Sequence, residues 1–304
     1  EAAKILEGGV EKLPQSYKMR TMLAEVQLNQ SQPQKAQETL EAALKLSSDP
    51  ADPGIIQTKN ALAKVHLLLR QPDKAEAYVD EVLKASPKSV EGHYNKGEIY
   101  LTRGDGTNAV AEFRTVVNER PQFIPGHLRL AAAHLFNKEA DLALNVLQAA
   151  QKIDPRSKEV LNALARVYAL KKDYGQAEEQ LRKAADMDPG DPSAQNELGD
   201  FLAALKRYPE AEEAFRSLTQ RSRQNPAGYI KLSRLQRAQG RNQEALRELE
   251  EGYRQNQTST ALLTELIQAY IRQKKHSAAV AVCKKRIDDN PRDVFAYNLI
   301  GLVY

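Results

Sequence analysis

The chain has no tryptophan, only six phenylalanines and only one cysteine in 304 residues. A lone thiol, Cys283, excludes an intrachain disulfide and any CxxC zinc site, and it leaves the compartment open. No run of about 18 apolar residues occurs, so no segment is a candidate membrane-spanning helix. A strong charge of one sign is also missing: 44 Lys and Arg face 40 Asp and Glu, a net charge of +4. The excess sits in residues 192–304, with about 18 basic against about 13 acidic side chains, too slight an asymmetry to argue for nucleic acid. Arg272, Lys274, Lys275 and His276 fall in a turn and Lys284, Lys285 and Arg286 on a helix, where they read as solvated surface. No leader peptide is visible, which is uninformative because the sequence opens inside a repeat.

What is present is an alanine that returns every 34 residues, at Ala75, Ala109, Ala143, Ala177, Ala211, Ala245 and Ala279. One longer step of 39 reaches back to Ala36, and a further 34 to Ala2. With that alanine set at position 20, complete units span 17–50, 56–89, 90–123, 124–157, 158–191, 192–225, 226–259 and 260–293. Residues 1–16 are the tail of an earlier unit, 294–304 the head of a later one, and 51–55 a loop insertion marked by Pro50, Pro53 and Gly54.

Each unit reads as two helices. The first is expected over positions 1–14, with apolar or aromatic residues on one face, as in Val160, Leu161, Leu164, Ala165 and Tyr168. A polar turn follows, then a second helix with alanine at 20, a larger apolar residue at 24 and, in most units, proline at 32. Position 34 supplies Ser89, Ser157, Asp191, Asn225, Ser259 and Asp293, each able to cap the next first helix. Helices joined by a short turn pack about 8–10 Å apart, so their closest approach needs small side chains. Position 8 meets the same need with Ala24, Ala63, Gly97, Ala131, Ala165, Gly199, Ser233 and Gly301; Ile267 alone breaks it.

These units resemble the tetratricopeptide repeat in length, in the small residues at 8 and 20, in the frequent tyrosine at 11 and in the proline at 32. The resemblance runs over essentially the whole chain, so 1–304 reads as one array. Departures exist. The tryptophan usual at position 4 is replaced throughout, and Ser48, Arg223 and Gln257 stand in place of the proline. The unit with Ile267 and Arg286 is the least typical. The implied fold is all-α, a right-handed α-solenoid or superhelix of tandem helix-turn-helix units, with the first helices lining a concave, peptide-binding side.

No nucleotide, zinc-protease or serine-hydrolase motif occurs. His66 and His134 occupy position 11, His93 and His127 position 4, and these read as packing residues, while His276 lies in a turn. Cys283 shares position 24 with Leu40, Leu147, Leu181, Phe215 and Leu249 and reads as a buried, inert thiol. Glu178, Glu179, Glu212 and Glu213 lie early in second helices, where they suit the helix dipole and solvent. The expectation is a non-catalytic chain without cofactor or metal.

A first helix that packs through 4, 7, 8 and 11 presents 2, 5, 6, 9 and 13 on its other face. On that face the middle of the chain carries Asn60, Lys64, Tyr94, Asn95, Glu98, Arg129, Asn162 and Arg166, the candidate groove residues for a protein or peptide partner. The asparagines can pair with a peptide backbone, and Lys64, Arg129 and Arg166 would favour an acidic ligand. Farther on, Asn196, Glu197, Asp200, Lys231, Arg234 and Arg237 make the charge alternate in sign. The carboxylate clamp of the family is not present: Asn60 and Lys64 stand in reversed places, and Pro125 occupies its lysine position.

The expected function is a protein–protein interaction scaffold. Two alternatives come with the resemblance. Similar bacterial arrays serve exopolysaccharide export or protein sorting, which slightly favours an envelope or periplasmic setting over the cytoplasm. Other arrays regulate a fused catalytic domain. Val294, Phe295, Ile300, Val303 and Tyr304 leave apolar surface at one end, so the expectation is part of a longer chain or head-to-tail self-association.

Overall fold

Small residues at positions 8 and 20 let two helices close, and the computed structural model, which describes residues 1–187, 192–221 and 223–304, shows them closed. All eight alanines at position 20 from Ala36 to Ala279 are buried, seven of them fully and Ala245 at 5% exposure. The described residues form 18 α-helices and no strand.

The chain divides into two compact units, Glu1–Asp173 and Tyr174–Tyr304. The first holds α1 (Ala2–Lys12), α2 (Tyr17–Asn29), α3 (Pro33–Leu44), α4 (Pro53–Leu68), α5 (Pro72–Ala85), α6 (Val90–Thr102), α7 (Gly106–Glu119), α8 (Ile124–Phe136), α9 (Ala140–Ile153) and α10 (Lys158–Leu170). The second holds α11 (Tyr174–Met187), α12 (Pro192–Ala204), α13 (Tyr208–Arg221), α14 (Pro226–Ala238), α15 (Asn242–Gln255), α16 (Thr260–Arg272), α17 (His276–Asp289) and α18 (Val294–Val303). Even-numbered helices are the first helices of the repeats and odd-numbered ones the second. Within each unit, consecutive helices pack on each other. First helices also pack on the next first helix, α2 on α4, α4 on α6 and α8 on α10, then α14 on α16 and α16 on α18. Among the described residues no second helix packs on the next second helix to the same extent, so within a unit the first helices form the closer-packed side.

The helix starts follow from capping chemistry. Ser16, Ser89, Ser157, Asn225, Ser259 and Asp293 each accept a backbone N–H from the first turn of the helix that follows, at 3.0–3.3 Å. Asp191, expected in the same role, lies outside the described residues. The segment 51–55, expected as loop, is helical from Pro53. Asp52 accepts the Gly54 N–H at 2.7 Å and Pro53 stands at the first helical position, so α4 starts three residues ahead of its repeat position.

First helices end at position 13, one residue earlier than the periodicity suggests, because position 15 turns left-handed. Ser31, Arg70, Gly104, Lys138, Lys172, Lys206, Gly240 and Lys274 all have φ between +57° and +80°. In every one of these turns the N–H of position 16 donates to the carbonyl of position 11 at 2.8–2.9 Å. That bond and a left-handed residue are the Schellman arrangement. Five of the six non-glycine residues are Lys or Arg, whose charge suits a helix C-terminus.

The side chains at positions 8 and 24 match in size within a repeat. Gly97 faces Phe113 and Gly199 faces Phe215 so closely that a Cβ on either glycine would lie 2.6 and 2.4 Å from the ring. Where position 8 is alanine, position 24 is Leu40, Val79, Leu147 or Leu181. Where it is Ile267, position 24 is the smaller Cys283, and both are fully buried in one cluster. The atypical repeat is thus packed by exchanging which side is large. Burial pushes the Cys283 thiol up, in keeping with an inert side chain. Arg286, at a normally small or apolar position, keeps its side chain mostly buried and bonds to Asp293 at 2.6 Å and to the Gln257 carbonyl at 2.9 Å.

The turn geometry gives a test. Gly104→Ala and Gly240→Ala add a methyl group to open space, nothing closer than 3.9 Å, yet force alanine into the left-handed region. Each should destabilise its unit by about 1 kcal/mol. Lys138→Gly, at the equivalent place, should be neutral or slightly stabilising. Urea denaturation of the three variants checks this, and an equal loss in Lys138→Gly would contradict it.

Candidate functional site

In the first unit, the faces of α2, α4, α6 and α8 enclose a groove of about 590 Å³. Its floor is apolar, with Leu28, Leu40, Leu67, Val90 and Phe123, and Leu68 stands at its edge, 59% exposed. Six of the eight candidate residues line it: Asn60 and Lys64 from α4, Tyr94, Asn95 and Glu98 from α6, and Arg129 from α8. Asn162 and Arg166, on α10, are not among the lining residues. The Asn162 Oδ1 is buried without a hydrogen-bond partner.

The six do different work. Asn95 is buried at 8% exposure, and its Nδ2 donates to the Asn60 backbone carbonyl at 3.0 Å, which ties α6 to α4. The Tyr94 ring meets Phe113 and Phe123 edge-on at 5.6 and 6.1 Å. Arg129 Nε donates to the Tyr94 hydroxyl at 3.3 Å and lies 2.8 Å from Glu98 Oε1. Burial pushes the Glu98 carboxyl up, against the opposing pull of Arg129. Lys64 is exposed and has no partner among the described residues.

The charges on this face follow one rule. A charge at position 9 of one repeat meets its opposite at position 6 of the next: Glu98 with Arg129, Asp200 with Lys231 at 2.6 Å, and Arg234 with Glu265 at 3.0 Å. The alternation of sign along the sequence is therefore largely internal pairing. Glu25 faces Ala61 in this scheme and Lys64 faces Asn95, so these two charges are left over.

A second set of pairs lies on the second helices. Glu76 accepts from Lys96 at 2.9 Å and pairs with Arg103 at 2.6 Å; Glu178 accepts from Arg207 at 3.1 Å; Glu212 accepts from Arg241. All three acids sit at position 21 and bind residues of the following repeat. Glu178 and Glu212 are thus not simply solvated. Lys96 stands at position 7, where other repeats bury leucine, with its ammonium 5.7 Å from the Tyr100 ring centroid.

Four of the five histidines are hydrogen-bonded within the fold, three of them singly: His66 to Gln71 at 3.0 Å, His127 to the Pro121 carbonyl at 2.8 Å and His134 to Glu139 at 2.7 Å. His93 lies between Glu112 at 2.6 Å and the Pro87 carbonyl at 2.9 Å. Among the described residues no group of His, Cys, Asp and Glu could hold a metal ion, and no helix is long and apolar enough to cross a membrane. A second cavity, of about 480 Å³ in the second unit, is lined by Leu266 and Val282 together with the pairs Tyr270–Glu250 at 2.8 Å and Arg286–Asp293 at 2.6 Å.

The position-21 pairs set a pH dependence. Hydrogen bonds from Lys96 and Arg103 hold Glu76 below the usual 4.5, and those from Arg207 and Arg182 do the same for Glu178. A depressed carboxylate adds stability above its unfolded value and loses it as pH falls through the folded one. The urea midpoint should therefore hold from pH 7 to about 5 and fall below about 4.5. Glu76→Gln/Glu178→Gln should start lower at pH 7 and fall less steeply; an unchanged slope would remove these two acids from the account.

Family models described as tetratricopeptide repeat match residues 60–122 and 172–226 in one case and 100–167 and 236–300 in another. A Hsp70-Hsp90 organizing protein of Triticum aestivum is 26% identical over 85 residues, 28% of this chain. The match spans only 15% of that relative's length. A tetratricopeptide repeat protein of Parabacteroides merdae superposes with a TM-score of 0.56 at 14% identity, over 84% of this chain and 99% of that one. Pseudomonas aeruginosa pilF does so with a TM-score of 0.53 at 18% identity, over 74% of this chain and 100% of that one. Repeats of this kind are typical of protein–protein interaction scaffolds and are typically non-catalytic. Matched by such models from residue 60 to residue 300 with short gaps, and built of the corresponding helix pairs, the chain belongs to the tetratricopeptide repeat family.

Proposed function

We propose that the array is a non-catalytic scaffold that holds a peptide segment of a protein partner in the groove of its first unit. The observation that carries this reading is the groove itself. An apolar floor of 590 Å³ scale is bordered by polar side chains from four first helices, and an unpaired ammonium, Lys64, stands at its rim. A concave apolar site with a few placed polar groups is the usual form of a ligand site. Lys64 gives such a segment one place for an acidic group.

Asn95 is a poor handle for testing the reading, because it ties two helices together and its loss would disturb the groove walls. Leu68 is better. It is exposed, so Leu68→Glu should move stability by about 0.5 kcal/mol or less. Peptides selected from a display library on the native array should bind Leu68→Glu at least about tenfold more weakly, a loss of roughly 1.4 kcal/mol. If the selected peptides bind the variant equally well while its helicity is unchanged, the groove is not the site.

A further inference from the structure

The groove carries an uneven charge pattern that selects among ligands. Five charged side chains line it: Glu25, Lys64, Glu91, Glu98 and Arg129. Glu98 is answered by Arg129 at 2.8 Å and Glu91 by Arg120 at 3.1 Å. Glu25 and Lys64 are exposed and answered by nothing among the described residues. They are also the only charges at position 9 in this groove whose neighbour at position 6 in the next repeat is uncharged, Ala61 and Asn95. With the paired groups cancelled, one negative and one positive site remain, and the groove has no net field for a ligand of one sign.

We infer that the segment held here is of mixed charge, with one cationic and one anionic residue about three residues apart and apolar side chains between them. The inference rests on the groove reading above. Glu25 and Lys64 occupy equivalent positions of neighbouring first helices, α2 and α4, which pack on each other. Neighbouring helix axes stand about 8–10 Å apart. A polyproline II-like chain rises about 3.1 Å per residue with three residues per turn, so it returns side chains to one side every 9 Å or so. A cation at Glu25 and an anion at Lys64 then fall at i and i+3 in either chain direction, and the residue or residues between them face Leu28 and Leu67 on the floor. A wholly acidic segment would meet Glu25 as a like charge, and a wholly basic one would meet Lys64.

The test uses fluorescein-labelled twelve-residue peptides with two charged positions three apart around leucine and proline: Arg with Glu in both orders, Glu with Glu, Arg with Arg, and Gln with Gln. Anisotropy at low salt should show one mixed order binding about fivefold or more tighter than either single-sign peptide. Glu25→Lys should make the doubly acidic peptide the tightest, and Lys64→Glu the doubly basic one, with helicity unchanged because both side chains are exposed. If the rank order stays the same in both variants while Leu68→Glu still weakens every peptide, the groove stands and the charge pattern is wrong. If no peptide shows dependence on Leu68, the groove reading and this inference fall together.

Discussion

The closest approach of paired helices, at positions 8 and 20, is the contact on which the other features of this chain depend. Alanine at 20 brings the second helix down onto the first, and the residue at 8 decides how much room is left at 24. Gly97 admits Phe113, Gly199 admits Phe215, and Ile267 leaves room only for Cys283. Well-packed interiors resist both voids and extra methylene groups, so a change on one side needs an answer on the other. The sum of the two side chains is held more closely than either one.

Once each pair is closed, the rest follows by repetition. The left-handed residue at 15 sets the turn, and the cap at 34 sets where the next helix starts. Equivalent positions of successive repeats then stand side by side. That is why position 9 of one first helix meets position 6 of the next, and why position 21 of a second helix meets arginine of the repeat after it. Such surface pairs add little energy singly. Their larger effect here is to decide which charges remain available: Glu25 and Lys64 in the groove of the first unit.

Much of the fold is legible in the sequence because it is written many times over. The alanine period, the small residue at 8 and the caps need no knowledge of tertiary structure, and helix ends fall where turn chemistry places them. Two things were not legible. The segment from Pro53 reads as loop by its Pro and Gly content, yet Asp52 and Pro53 make a good helix start. The role of Asn95 was also hidden: position 6 reads as outward-facing, but its amide reaches the Asn60 carbonyl of the preceding first helix and is buried there. Polarity alone does not separate a side chain offered to a ligand from one that binds its own backbone. Two of the pairs at position 21 could have been found, since Glu178 and Glu212 share a 29-residue register with Arg207 and Arg241, while Arg103 stands two residues earlier in its repeat, 27 after Glu76.

The account's central claim, that positions 8 and 24 are selected as a pair, is tested most directly by a double-mutant cycle on Gly97→Ala and Phe113→Leu, followed by urea denaturation. Gly97→Ala alone should destabilise by about 1–3 kcal/mol, since its Cβ would lie 2.6 Å from the ring. With leucine at 113 the same alanine should be tolerated, giving a coupling of about 1 kcal/mol or more. Additive effects, within about 0.5 kcal/mol, would show that the two sites are filled independently and would contradict the claim.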